Sequence, residues 1–204
     1  AEGVVWKRMM ASNFFGAPQS FNAVIIDRET SGLIPYIQIA GNELRKTTEM
    51  MGWKNATVGI NGNYFALDPV RPVCFTVTDG SLIALGGTKD VLPFLQNGAV
   101  RFRDLQDFTL VEPPQYGWYL TPIDSNVLAA GPLMMYSGQD VPYPENHPFI
   151  ETRHPRSAIG LLEDGRIILF TADGRAPEAA GLSIPELHEV LREMDCISAL
   201  NLDG

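Results

Sequence analysis

The chain has 204 residues, 45% of them apolar and 19% charged, and a formal net charge of −9. That is enough for one domain with its own core, and too apolar for a disordered chain. The acidic balance excludes a nucleic-acid partner, which needs a basic stripe, and disfavours a site on anionic membranes. Residues 1–19 carry Trp6, Met9, Phe14 and Phe15 without a clear period, and read as a lead-in strand or a fold-over segment. Residues 21–27 read as a strand and 28–32 as its turn. Residues 33–40 read as the next strand, with Pro35 confining it to an edge or a strand start. Residues 42–52 read as a helix, with Asn42 as N-cap and Gly52 as the stop. A short strand at 57–60 leads into Asn61-Gly62-Asn63-Tyr64-Phe65.

Residues 73–78 and 81–85 form an expected hairpin around Asp79-Gly80. Short strands follow at 100–102 and 108–111. The loop at 113–122 carries Tyr116, Trp118 and Tyr119, which either cover the core or stack on a sugar face. Residues 129–136 read as a strand interrupted by Gly131-Pro132. The stretch 137–155, with four prolines and with His147 and His154, reads as a long irregular loop.

The last quarter carries the most consistent signals. Residues 158–162 and 166–171 are strands joined at Glu163-Asp164-Gly165. Ser183-Ile184-Pro185-Glu186 fits a capping box, and Leu187, Val190, Leu191 and Met194 follow at helical spacing. Residues 197–202 read as a buried strand that stops at Asp203-Gly204. The expected fold is α+β: mostly antiparallel β-sheet with a few helices and a C-terminal strand-helix-strand crossover. One domain over residues 1–204 is expected, with 1–20 as its lead-in.

A crossover through one helix usually joins parallel strands, which end on the same edge of a sheet. Asp173 and Asp203 would then sit at matched strand ends, where ligands of such units bind. Each alone is also a turn residue, since Asp-Gly is a common turn dipeptide. Asn61 and Asn63 each offer one acceptor and two donors, which suits sugar hydroxyls and equally a tight turn. Cys74 and Cys196 lie in apolar surroundings and read as buried free thiols, with a single bridge as the alternative. No Cys-x-x-Cys or His-x-x-x-His spacing supports zinc. Asn55-Ala56-Thr57 is a glycosylation sequon. No apolar run reaches 18 residues, so no transmembrane helix is expected. The chain starts at Ala1 with no signal peptide, as a processed product would, and an exported location is expected: periplasmic, cell-surface or extracellular.

Five short motifs together carry a resemblance. They are Asn61-Gly62-Asn63-Tyr64-Phe65, Ala130-Gly131-Pro132-Leu133-Met134, Arg156-Ser157-Ala158-Ile159-Gly160 with Thr171-Ala172-Asp173-Gly174-Arg175, and Ala199-Leu200-Asn201-Leu202-Asp203-Gly204. In this order they closely resemble the phosphodiester glycosidase family over roughly residues 20–204. The family has Gly where Asn63 stands, and its last motif continues into a Gly-rich Ser/Thr run where this chain stops. The resemblance implies hydrolysis of a sugar-1-phosphodiester, of the N-acetylglucosamine-1-phosphodiester kind. It implies Asp173 and Asp203 as catalytic carboxylates. It implies substrate contacts from Asn61, Gly62, Asn63, Phe65, Gly131, Arg156, Gly174, Arg175, Asn201 and Gly204. Arg156, and less securely Arg175, would hold the phosphate by a bidentate fork.

Two other readings compete. The same Asn, Asp and aromatic residues could bind glycan without turnover, as in cell-envelope polysaccharide assembly. Alternatively, Asp173, Asp203 and Asn201 could hold Mg²⁺ or Ca²⁺ in a metal-dependent phosphodiesterase. The partner expected on the leading reading is a carbohydrate phosphodiester, with no cofactor, a divalent cation remaining an option.

Overall fold

Two antiparallel sheets stack to form the molecule, described by a computed structural model for residues 2–87, 91–118 and 125–204. The chain opens with β1 (Val4–Phe14) and β2 (Ala17–Ile26), a hairpin turned by Phe15 and Gly16, both at positive φ. The segment assigned to a lead-in is therefore the edge strand of the larger sheet. After helix α1 (Thr47–Trp53) come β3 (Phe65–Leu67), β4 (Val70–Pro72), β5 (Thr76–Thr78) and β6 (Ser81–Ala84). Next are β7 (Gly98–Phe102), β8 (Phe108–Val111), β9 (Asn126–Ala130), β10 (Leu133–Tyr136) and β11 (Gln139–Asp140). The chain closes with α2 (Pro148–Glu151), β12 (Arg156–Leu162), β13 (Ile167–Ala172), α3 (Ile184–Glu193) and β14 (Cys196–Leu202). The larger sheet has the order β1-β2-β13-β12-β14-β10-β11, the second β6-β5-β9-β7-β8, and β3 and β4 pair separately.

Side chains alternate across the larger sheet and so feed two cores. Ala158 and Leu162 of β12, Phe170 of β13 and Phe21 of β2 face α3, where Ile184, Leu187 and Leu191 meet them. Ile159, Ile167, Leu200 and Leu202 point the other way, onto Val100, Phe102, Phe108 and Leu110 of the second sheet. The outer face of the second sheet is closed by Phe75, Val77 and Trp118, whose indole N–H donates to the Gln96 carbonyl (2.8 Å). The α3 cap is the reciprocal pair expected: Ser183 Oγ accepts from the Glu186 N–H, and the Glu186 carboxylate accepts from the Ser183 N–H.

Several expected elements differ. Residues 33–40 form no strand: Pro35 lacks a ladder donor and Ile34 is 84% exposed. Residues 57–60 are also irregular. The helix expected at 42–52 is shorter and later, with Lys46 at its N-cap and no side-chain cap bond, and Gly52 lies within it. The 79–80 hairpin forms, with Asp79 and Gly80 both at positive φ. The 129–136 stretch is two strands of different sheets, parted at Gly131-Pro132. Residues 137–155 contain β11 and α2. Tyr119 and the rest of that loop to 122 lie outside the described residues. Cys74 and Cys196 are free and buried in separate cores, and burial pushes both thiols up to about 12.

Candidate active site

The crossover positions the two aspartates. β13 and β14 are both antiparallel to β12, which lies between them, so they run parallel to each other and end on one edge. Asp173 follows one and Asp203 the other. Their backbones are thus about two strand spacings apart, ~9–10 Å. Pro155 sits between: a Cβ on Gly174 would come within 2.6 Å of its nitrogen, and one on Gly204 within 2.5 Å of its carbonyl oxygen. Both glycines are needed for this close approach of the backbone. Gly131 is similarly wedged, with the Phe94 carbonyl 2.1 Å from where its Cβ would lie.

Asp203 is half-buried, and its N–H donates to the Gly62 carbonyl (2.9 Å). Burial pushes its carboxyl up to about 6, against an opposing hydrogen bond from the Gly204 backbone. Beneath it lies a closed network. Asn201 is 0% exposed, and its Nδ2 donates to Tyr64 Oη (2.8 Å), the Gly131 carbonyl (2.9 Å) and the Leu202 carbonyl (2.8 Å). The Tyr64 hydroxyl donates to the Gly131 carbonyl (2.7 Å). Burial, and then the Asp203 charge, raise the Tyr64 hydroxyl well above its ordinary range, so it stays a neutral donor. Among the described residues, Asn201 Oδ1 is buried with no partner.

A cavity of about 1120 Å³ opens beside this network, and its lining includes Asn61, Gly62, Asn63, Phe65, Asp203 and Gly204. Asn61 Oδ1 accepts from Ser157 Oγ (2.5 Å), which leaves the two amide donors of Asn61 for a ligand. Asn63 is tied instead to the second sheet, its Nδ2 donating to Thr76 Oγ1 (2.7 Å). Phe65 is 44% exposed.

Asp173 stands outside that lining. It is exposed, its Oδ2 accepts from Ser20 Oγ (2.6 Å), and its N–H donates to the Ser20 carbonyl. Each carboxyl therefore has its own surroundings. Among the described residues no three His, Cys, Asp or Glu side chains gather into a metal-holding group.

The two arginines have different surroundings. Arg156 is 3% exposed, stacks on Phe149, and donates through Nε to the Leu182 carbonyl and through Nη2 to those of Phe149 and Thr152. Its Nε and Nη2 are thus committed to backbone carbonyls that tie α2 to the segment leading into α3. Arg156→Lys is therefore expected to lower stability by about 1–3 kcal/mol, because a compact ammonium cannot span three carbonyls. Urea unfolding measures this, and an unchanged midpoint would return Arg156 to the phosphate. Arg175 is exposed, at positive φ, and its Nη2 donates to His154 Nδ1 (3.1 Å). Burial and the nearby Arg156 and Arg175 charges hold His154 below its ordinary range, so its ring accepts.

Tyr64, Ser157 and Ser20 support the candidate residues without having been singled out from sequence. Tyr64 and Ser157 lie inside the motifs quoted above. Ser20 has no sequence signal, since its partner is 153 residues away.

Comparison with known proteins gives the family and the fold. The chain is 26% identical over 152 residues to the N-acetylglucosamine-1-phosphodiester alpha-N-acetylglucosaminidase of Mus musculus, a match covering 71% of this chain and 29% of that enzyme. It superposes on the zebrafish N-acetylglucosamine-1-phosphodiester alpha-N-acetylglucosaminidase catalytic domain, auto-inhibited by its pro-peptide, with TM-score 0.73 and 17% identity, covering 100% of this chain and 72% of that one. A hypothetical protein from Synechocystis gives TM-score 0.74 at 16% identity, covering 100% and 57%. The chain thus spans less than a third of the mouse enzyme's length and just over half of the Synechocystis chain. The family model for phosphodiester glycosidases matches residues 54–204, from the end of α1 through Asp203, and the chain belongs to that family.

Proposed function

We propose that this chain carries the hydrolytic site of a phosphodiester glycosidase acting on a sugar-1-phosphodiester of the N-acetylglucosamine-1-phosphodiester kind. The observation that carries the reading is Asp203. It is a half-buried carboxyl raised to about 6, at the mouth of a large cavity walled by Asn61 and Phe65. A carboxyl poised there can hold a proton near neutral pH and deliver it. In the reaction, a water oxygen bonds to the anomeric carbon, the bond from that carbon to the phosphate oxygen breaks, and the phosphate leaves as a monoester. Asp173 stabilises the developing positive charge on the sugar or takes the proton from the water. Asn61, oriented by Ser157, donates to sugar hydroxyls, and Asn201 fixes Asp203 through the Tyr64–Gly131 network. Gly174, Gly204 and Gly131 act through close packing of the backbone around this edge. Arg175 is the exposed cation nearest Asp173 in sequence and the better remaining candidate for the phosphate.

An exported location accords with the name, as an exported protein, given to a Burkholderia pseudomallei chain that shares the fold (TM-score 0.69, 16% identity). Among the described residues no helix is long and apolar enough to cross a membrane. The test is product analysis after incubation with UDP-N-acetylglucosamine, with and without a strong chelator. Free N-acetylglucosamine and UDP in both samples are expected. Release of N-acetylglucosamine 1-phosphate would overturn the reading, because the bond cut would be the wrong one. Binding without turnover would favour a glycan-binding protein, and loss of turnover with chelator a metal-dependent one.

A further inference from the structure

His154 stands at the sheet edge that carries both aspartates, one residue before Pro155, and has no part in the chemistry above. Its backbone is clamped. The His154 N–H donates to the Leu182 carbonyl (3.1 Å), and its own carbonyl accepts from the Leu182 N–H (2.9 Å). Gly181, at positive φ, packs so closely that a Cβ there would lie 2.4 Å from the His154 carbonyl oxygen. Gly174 closes on it from the Asp173 side, with a Cβ there 3.0 Å from the His154 carbonyl carbon. The ring is therefore presented from a fixed point beside the turn that follows β13.

In that turn Arg175 holds a left-handed backbone, with φ 59°, which a residue with a side chain rarely adopts. Ala176 and Ala179 follow, each N–H donating to the other's carbonyl, so the turn is tight. From this backbone the Arg175 side chain reaches back to His154, and its Nη2 donates to Nδ1 (3.1 Å). A ring nitrogen that accepts carries no proton, so the ring is neutral with its proton on Nε2. Among the described residues no carboxylate pairs with Arg175. One of the five N–H donors of a guanidinium is used on His154, and the rest are left for a ligand.

The charges that act on the His154 ring are both cationic, Arg156 of β12 and Arg175. The neighbouring carboxylates are engaged elsewhere. Asp173 accepts from Ser20, Glu186 of α3 pairs with Arg153, and Asp203 lies past Pro155, against which Gly204 packs. A proton on Nδ1 would remove the acceptor and set a third cation beside two others. Burial, then Arg156 and Arg175, hold the ring below its ordinary range, so the acceptor is in place at neutral pH.

We propose that His154 is the positioning residue for Arg175: its neutral ring holds the guanidinium in one orientation for the substrate phosphate, and protonation of the ring lets the guanidinium go. This rests on the phosphate assigned to Arg175 in the glycosidase reading. A side chain already held in place loses less conformational freedom on binding than one free to rotate. Phosphate affinity, rather than the chemical step, therefore weakens in acid.

The test follows KM for UDP-N-acetylglucosamine from pH 8 to pH 5, a range in which its phosphodiester groups keep their charge. In the parent, KM should rise about three- to tenfold on acidification, the effect of one immobilised side chain, with kcat little changed. His154→Asn places a carboxamide oxygen where Nδ1 stands and does not titrate, so it should keep the parent's low KM at pH 8 and hold it at pH 5. His154→Leu has no acceptor and should show the high KM at both. Arg175→Gln should raise KM at least as much, again without pH dependence. Four results would overturn the positioning role: a parent KM that is flat or falls in acid, an Asn variant that keeps the parent's pH dependence, a Leu variant with the parent's KM at pH 8, or an Arg175→Gln variant with the parent's KM. If the parent does not turn over UDP-N-acetylglucosamine, calorimetric titration with it reads Kd across the same variants and pH values. The same pattern in Kd means that the glycosidase reading fails and the positioning role stands. A Kd indifferent to Arg175→Gln and to pH overturns that role.

Discussion

Asp173→Asn is expected to lower kcat by about 10²–10⁴-fold, the range a positioned acid or base contributes, and to do so for every leaving group. The carboxyl is exposed, yet it is held: Ser20 donates to Oδ2, and the Asp173 N–H donates to the Ser20 carbonyl. Asparagine keeps the size and can still accept from Ser20 Oγ, so the β2–β13 contact survives and only the charge is lost. A charge that stabilises the oxocarbenium-like transition state, or activates the water, is needed whatever departs. Nucleotide, aryl and alkyl-phosphate glycosides should therefore fall together. A variant that retains most of its kcat on all three would remove Asp173 from the chemistry.

What could be read from sequence follows from where the determining contacts lie. The 158–204 block was legible because its signals are local: a Gly turn, a reciprocal cap, an apolar helix face and a run of β-formers. The placement of Asp173 and Asp203 on one edge followed from the parallel strands that a one-helix crossover joins, although β12 between them is a long-range fact. Residues 33–40 and 57–60 were not legible. Their apolar residues suggest strands, but the chain there pairs with no neighbour and walls the cavity instead. β1 stayed open between a lead-in strand and a fold-over segment because its 11 residues are almost all exposed on both faces, so no period-2 alternation marks it. The surroundings of Arg156 were not legible for a different reason. A motif shows that an arginine is required, whereas only the packing shows that its donors meet the carbonyls of Phe149, Thr152 and Leu182.

Asp203→Asn should show a different pattern, and pH separates it from Asp173→Asn. The Asp203 carboxyl is raised from its ordinary 3.8 to about 6, chiefly by burial. A proton donor with that value is loaded below about pH 6 and empty above it, so turnover of poor leaving groups should fall as pH rises through 6. Phosphate esters leave readily without a proton and should show little of this limb. Asparagine cannot deliver the proton, so the variant should lose about 10²–10⁴-fold on alkyl glycosides, much less on phosphodiesters, and the limb itself. Stability should move the opposite way. A group whose folded value lies above its unfolded one contributes stability that is fully present below about pH 4 and lost as pH rises through about 6. At pH 7–8 the parent therefore holds a desolvated charge that the variant lacks. Asp203→Asn should then be the more stable protein by on the order of 1 kcal/mol, solvent screening at this half-open site reducing the full effect. The difference should shrink on acidification and vanish near pH 4. Urea midpoints at pH 4, 6 and 8 measure it. Equal activity losses on alkyl and phosphate leaving groups, together with a variant no more stable than the parent at pH 8, would show that Asp203 carries its charge as a binding group rather than a proton as a donor.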